Sequence, residues 1–116
     1  MGIRDTIRVV RPRPGAVVVE LLGEYDLGTR DELRALLVDL VVSHDLVVAD
    51  LSETTYLDSS GMWTLVEADR FARELGKRFR LQVGTAPIVK KALEYSHLLD
   101  RLAWAPTRDE VLRDDQ

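Results

Sequence analysis

The sequence predicts a single α/β domain built on a mixed, mostly parallel β-sheet, and three observations carry that expectation. Period-two and period-3.6 hydrophobic patterns alternate along the chain, with no linker or low-complexity segment between them. The run Leu46 to Leu51 (LVVADL) is short, β-branched and almost continuously apolar, as expected of a central strand covered on both faces. A length of 116 residues with 46% hydrophobic content fills one core of ordinary depth. The domain is expected to occupy residues 1–116, with fraying at about 1–5 and 113–116.

The elements follow in order. A first strand over Ile7 to Val10 ends at the turn Arg11-Pro12-Arg13-Pro14-Gly15, and Val17 to Leu22 forms an apolar second strand closed by Gly23. Thr29 and Glu32 have capping-box spacing, and Leu33, Leu36, Leu37, Leu40 and Val41 recur at helical intervals, so a helix is expected over about 30–43. After the central strand, Ser52 to Tyr56 reads as a polar loop. A second helix begins near Ser59, turns Met62, Leu65, Val66, Ala68, Ala72 and Leu75 inward and stops at Gly76. Asp69 falls on its apolar side and breaks the pattern.

Phe79 to Val83 makes the next strand, and Pro87 opens a third helix with Ile88, Val89, Ala92 and Leu93 on one face. Leu102 to Ala105 is a last short strand, and Thr107 with Glu110 repeats the capping spacing ahead of a C-terminal helix. The expected order is ββαβαβαβα. The expected core comprises Val18, Leu21, Leu36, Leu40, Val47, Val48, Leu65, Ala72, Leu81, Val83 and Leu93.

Composition narrows the function classes. Net charge is −4 and the basic residues are scattered, which makes nucleic acid an unexpected partner. The short series Arg4, Arg8, Arg11 and Arg13 reads as a solvated edge-strand face. With zero cysteines there is no disulfide framework, thiolate metal site or thiol nucleophile. No run of about 18 apolar residues and no apolar segment behind the Arg-rich N-terminus is found, so neither a membrane span nor a secretory signal is expected, and the expected location is the cytoplasm.

Enzyme motifs are missing too: there is no GxSxG elbow, Walker loop, GxGxxG or HExxH. A Ser-His-Asp relay would need His44 or His97 beside Ser59 or Ser60. Asp26, Asp50 and Asp58 lie near strand ends without a histidine set, so no metal or other cofactor is expected.

What stands out is Tyr56-Leu57-Asp58-Ser59-Ser60-Gly61-Met62, a turn between the central strand and the second helix. A serine hydroxyl there can cap the helix, a role worth about 1 kcal/mol. The same position, at a helix N-terminus with its N–H groups and dipole, also tolerates an added phosphate. On its own D-S-S-G is too short to decide between these roles.

Its surroundings carry more. The segment VVADLSETTYLDSSGMWTLVEADRFARELGKRFRLQVG resembles the STAS signature of bacterial anti-sigma-factor antagonists, with an apolar strand, a D-S-S-G turn and a helix in that order. Leu22-Gly23-Glu24-Tyr25-Asp26 is similar to that family's G-E-L/V-D motif, and Pro87-Ile88-Val89-Lys90-Lys91-Ala92-Leu93 to its third helix. The resemblance covers nearly the whole chain. It implies that Ser59, and as second choice Ser60, accepts phosphate from a serine kinase that doubles as an anti-sigma factor, and that a serine phosphatase reverses the step. It further implies that Asp26 lies beside the serine and takes part in kinase recognition, while Asp58 flanks it. Helix capping or a turn hydrogen bond is an equally good account of both aspartates.

The implied partner-binding set is Asp26, Asp58, Ser59, Ser60 and Gly61, joined by Trp63. At 100° per residue Trp63 falls with Glu67, Arg70 and Glu74 on the side of the second helix away from Leu65, and is expected to be exposed. Two departures bear on partner choice: Trp63 replaces a small residue, and His97 stands where a glycine is usual, a left-handed turn position that a histidine takes at modest cost as a local adjustment. Tyr25 in place of an aliphatic residue is a similarly mild change. The functional expectation is a non-enzymatic switch that binds an anti-sigma kinase, frees a sigma factor and lets go when phosphorylated. The alternative is a non-switching STAS scaffold in a stress-sensing complex, or an accessory subunit of a lipid transporter. A serine hydrolase or nucleotide-binding enzyme is a third class, checked by turnover of generic esters and nucleotides. The oligomeric state is not set by these patterns.

Overall fold

The structure is a computed structural model, describing residues 6–84 and 87–114. Among these the elements are β1 (Ile7–Arg13), β2 (Ala16–Leu21), β3 (Gly23–Tyr25), α1 (Arg30–Ser43), β4 (Leu46–Asp50), β5 (Thr54–Leu57), α2 (Ser59–Glu74), β6 (Arg78–Gln82), α3 (Pro87–Tyr95), β7 (Ala103–Ala105) and α4 (Arg108–Val111). A main sheet of order β1-β2-β4-β6-β7 is antiparallel at β1 and parallel elsewhere, and β3 pairs with β5 in a separate parallel ribbon. This is the mixed, mostly parallel α/β architecture expected. The segment Leu46–Asp50 is the central strand, with every residue buried.

Strand alternation divides the sheet's side chains between two faces. Val17, Val19, Leu21, Val47, Ala49, Leu51, Phe79, Leu81 and Val83 join Leu33, Leu37, Leu40 and Val41 of α1, Leu65, Val66, Ala68 and Ala72 of α2 and Leu93 of α3 in the main core. Ala16, Val18, Leu46 and Val48 point the other way and meet Val111 of α4. Every expected core residue is buried except Leu36, which is half-buried and packs against the main cluster from its edge. The side chains of Ile88 and Val89, expected on the inward face of α3, lie outside the described residues, as does Arg4.

Four local expectations are corrected. The stretch Arg11 to Gly15 is not all turn: β1 runs on to Arg13 through an irregularity between Val10 and Arg13, and the chain reverses at Pro14-Gly15, where Gly15 has φ +82°. The loop Ser52 to Tyr56 contains β5, whose buried Thr54 donates from Oγ1 to the Leu21 carbonyl at 2.7 Å. Thr29 precedes α1 without closing a capping box, because its backbone (φ −107°, ψ −3°) is not extended. Its hydroxyl serves the preceding turn instead, accepting from the Asp26 N–H at 3.0 Å. Finally, the residue that caps α2 is Asp58 and not Ser59.

Two expectations concern special positions. His97 does adopt the left-handed conformation, at φ +62°. Asp69 is buried on the apolar side of α2, where Arg73, one turn on, reaches it at 3.0 Å. Burial pushes the Asp69 carboxyl up from its usual range, and the Arg73 charge opposes that shift.

Candidate functional site

The site is assembled by the small β3–β5 ribbon. Its parallel register sets Tyr25 beside Leu57, so Asp26 and Asp58 leave the two strands side by side. The Asp58 N–H donates to the Tyr25 carbonyl at 3.2 Å, tying the two exits together. Tyr25 anchors them from beneath: it is fully buried, and its hydroxyl donates to the Thr6 carbonyl at 2.9 Å. Burial also raises the Tyr25 pKa, against the hydrogen bonds from Thr6 and Leu22.

Each aspartate spends its carboxylate on a turn. Asp58 is extended (φ −91°, ψ −175°), and its Oδ1 accepts from the Gly61 N–H at 3.0 Å. Asp26 Oδ1 accepts from the Gly28 N–H at 2.9 Å, an Asx turn ahead of α1. The capping and turn roles that the sequence offered for these residues are therefore both realised. Gly61 is fixed by close approach: a Cβ there would lie 2.6 Å from Leu57 Cδ1 and 3.0 Å from the Tyr25 carbonyl oxygen.

Ser59 is the first residue of α2, is exposed, and has no hydrogen-bond partner for its hydroxyl among the described residues. Ser60 is half-buried, and its carbonyl accepts from Thr64 Oγ1 at 3.0 Å. Trp63 lies one turn after Ser59 and is 47% exposed, as its helical position predicted, with the Arg70 guanidinium 5.7 Å from its ring centroid. Glu67 departs from the expected solvent face and turns toward Arg34 of α1, at 3.9 Å.

The structure thus brings Asp26, Asp58, Ser59, Ser60, Gly61 and Trp63 to one end of the ribbon and the first turns of α2. It adds two residues that sequence reasoning missed, Leu27 at 63% and Tyr56 at 50% exposure. Tyr56 falls in the stretch expected to be a polar loop, but neither was singled out as a site residue, because each lies in or close after a strand too short to give a period-two signal. The histidines are engaged elsewhere: His44 Nδ1 lies 3.0 Å from the Leu40 carbonyl, and His97 Nδ1 lies 3.3 Å from Asp100. Among the described residues there is no group of three or more side chains arranged to hold a metal ion, and no helix is long and apolar enough to cross a membrane.

With this geometry in place, comparison with known proteins is informative. The family model described as "Mlab, STAS domain" matches residues 9–103. The chain belongs to the STAS domain family. No curated protein sequence matches this STAS domain. Among solved structures it is similar to an anti-sigma factor antagonist from Mycobacterium paratuberculosis, at 24% identity over 97% of this chain and 96% of that one, with a TM-score of 0.76. It is similar to the Bacillus cell fate determinant SpoIIAA in its phosphorylated form, at 21% identity over 90% and 94% of the two chains and a TM-score of 0.66. A STAS domain protein from Planctomyces limnophilus gives 18% identity over 90% and 92%, with a TM-score of 0.73. At these identities the likeness is one of fold.

Proposed function

We propose that this STAS domain is a cytoplasmic anti-sigma-factor antagonist, a binding protein rather than an enzyme, whose hold on a kinase-type anti-sigma factor is broken by phosphorylation of Ser59. The observation that carries the reading is the unpartnered, exposed Ser59 hydroxyl on the first residue of α2, between two aspartates already committed to turns and one turn from an exposed tryptophan. In support, solved proteins of the same fold are described as anti-sigma factor antagonists, and one of them is known in a phosphorylated form.

The chemistry is simple. Ser59 Oγ gives up its proton and takes the γ-phosphoryl group of ATP in the kinase, and ADP leaves. A serine phosphatase returns the hydroxyl by hydrolysis. The phosphate adds about −1.5 to −2 charges next to Asp58. It competes with the Asp58 carboxylate for the first N–H groups of α2 and repels acidic groups of a partner seated on Trp63. The unmodified domain binds and frees the sigma factor; the modified one lets go.

Incubation with the cognate kinase and ATP, followed by peptide mapping, tests the assignment. Phosphate is expected on Ser59, and phosphate found only on Ser60, Ser52 or a threonine would falsify it. Ser59→Ala keeps partner binding and blocks labelling, whereas Ser59→Asp weakens binding in part, since a carboxylate carries less charge than phosphate. Trp63→Ala is expected to cost about 2 kcal/mol of partner affinity at unchanged stability. Tight binding with no residue labelled would favour the constitutive reading, a scaffold in a stress-sensing complex or an accessory subunit of a lipid transporter.

A further inference from the structure

A second feature lies further along α2. A recess of about 200 Å³ is lined by Val66, Asp69, Arg70, Arg73, Arg101 and Leu102, between the C-terminal half of α2 and the residue that follows the 3-10 turn Leu98–Asp100. Three arginines and one aspartate are among its lining residues. The carboxylate is spoken for: Asp69 is buried and bound by Arg73 at 3.0 Å, and Arg73 also donates to the Arg101 carbonyl at 3.4 Å. Arg70 and Arg101 have no carboxylate partner among the described residues. In a chain of net charge −4, two arginines without a carboxylate partner line the same polar recess, whereas others, such as Arg8 with Glu20 and Arg13 with Asp114, are paired.

We propose that this recess is an anion-recognition site, taking one phosphate or carboxylate group between the forks of Arg70 and Arg101 with Arg73 behind. Guanidinium groups present paired N–H donors in a plane, which suits the oxygens of either anion. The volume holds one such group with a few waters. Arg70 is partly ordered before any ligand arrives, because its guanidinium rests over the Trp63 ring, so less side-chain freedom is lost on binding. The site does not depend on Ser59. A free phosphorylated small molecule and an acidic side chain of a docked protein share the required chemistry.

The test is a titration of the full chain, followed by amide and arginine Nε resonances, at constant ionic strength so that general screening does not change. The probes are inorganic phosphate, pyrophosphate and a short glutamate-rich peptide. Saturable shifts confined to residues 66–73 and 100–102 are expected. The double variant Arg70→Gln/Arg101→Gln should weaken binding at least about tenfold, whereas Arg11→Gln on β1 leaves it unchanged. Both substituted side chains are exposed and hold no ion pair, so the fold survives; Arg73 is left in place because it neutralises buried Asp69. Tighter binding of pyrophosphate than of the peptide assigns the site to a free phosphoryl ligand, and the reverse assigns it to acidic side chains of a protein. The proposal is overturned if none of the three probes saturates, if the shifts map elsewhere, or if the double variant binds as tightly as the wild type.

Discussion

The main sheet is covered very differently on its two faces. On one, α1 and α2, joined by Leu93 of α3, lay a continuous apolar layer against alternate residues of β2, β4 and β6, and the contact is almost entirely hydrocarbon. On the other, the short helix α4 contributes Val111 to a small cluster and is otherwise held by ions and hydrogen bonds. Arg108 donates at 2.8 Å to both Glu20 and Asp50, and at 2.7 Å to Gln82, spanning the ends of β2, β4 and β6. Arg80 donates to the Val111 and Arg113 carbonyls, and Arg13 and Arg78 reach Asp114, although the C-terminus from 113 on was expected to fray. Burial works against the Arg108 charge, but the bonds to Glu20 and Asp50 and their fields outweigh it, so its pKa rises above the usual arginine value. An apolar cover is non-directional and indifferent to salt, whereas a clasp of ion pairs over a small apolar patch is sensitive to salt and acid. The helix that carries Ser59 and Trp63 of the candidate site packs on the first kind of face.

The contrast is sharpened by substitutions on each face. Leu65→Ala removes a fully buried side chain from the apolar layer and should cost about 3 kcal/mol, seen as a lower urea midpoint at constant m-value. A loss under about 1 kcal/mol would mean that the helical layer repacks freely. Arg108→Ala removes the cation that Glu20 and Asp50 share, leaving Glu20 to Arg8 and Asp50 with no arginine, and should cost about 2 kcal/mol. That is less than a fully buried pair would lose, because Arg108 is 31% exposed. The combination Glu20→Gln, Asp50→Asn and Arg108→Met should recover most of that loss; if it does not, the clasp is held by shape and not by charge.

The smallest effect concerns acid. Hydrogen bonding from Arg78, with the charges of Arg13, Arg78 and Arg80, lowers the Asp114 pKa from 3.8 in spite of some desolvation. A carboxylate with a depressed folded-state pKa stabilises above its unfolded value and loses that contribution as pH falls through the folded one. The Val111 and Leu112 amide resonances should therefore move toward unfolded positions below about pH 4. The transition should vanish in Asp114→Asn; its survival there would place the titration elsewhere.

Much of this was legible beforehand, and the reason lies in period. Helix α1 was expected over about 30–43 and spans Arg30–Ser43, because five aliphatic residues recur at 3.6-residue intervals. Trp63 was placed on the outer side of α2 by the same rule. The strands β3 and β5 escaped notice because three or four residues are too few to show alternation, and β5 is largely polar in sequence. Thr29 has the right spacing for a cap and the wrong backbone, a matter no spacing can reveal.

By itself the sequence determined the fold class, the central strand, the outward placement of Trp63 and the position of D-S-S-G at the start of α2, since these depend on local periodicity and short motifs, although Glu67 turned toward α1 and Leu75, expected inward, is exposed. The tertiary structure decided that Asp26 and Asp58 emerge side by side, that Gly61 lies close against the Tyr25 carbonyl, and that Arg70, Arg73 and Arg101 share one recess. Those facts join residues far apart in the chain. They arise from strand register and helix packing, which sequence spacing does not encode.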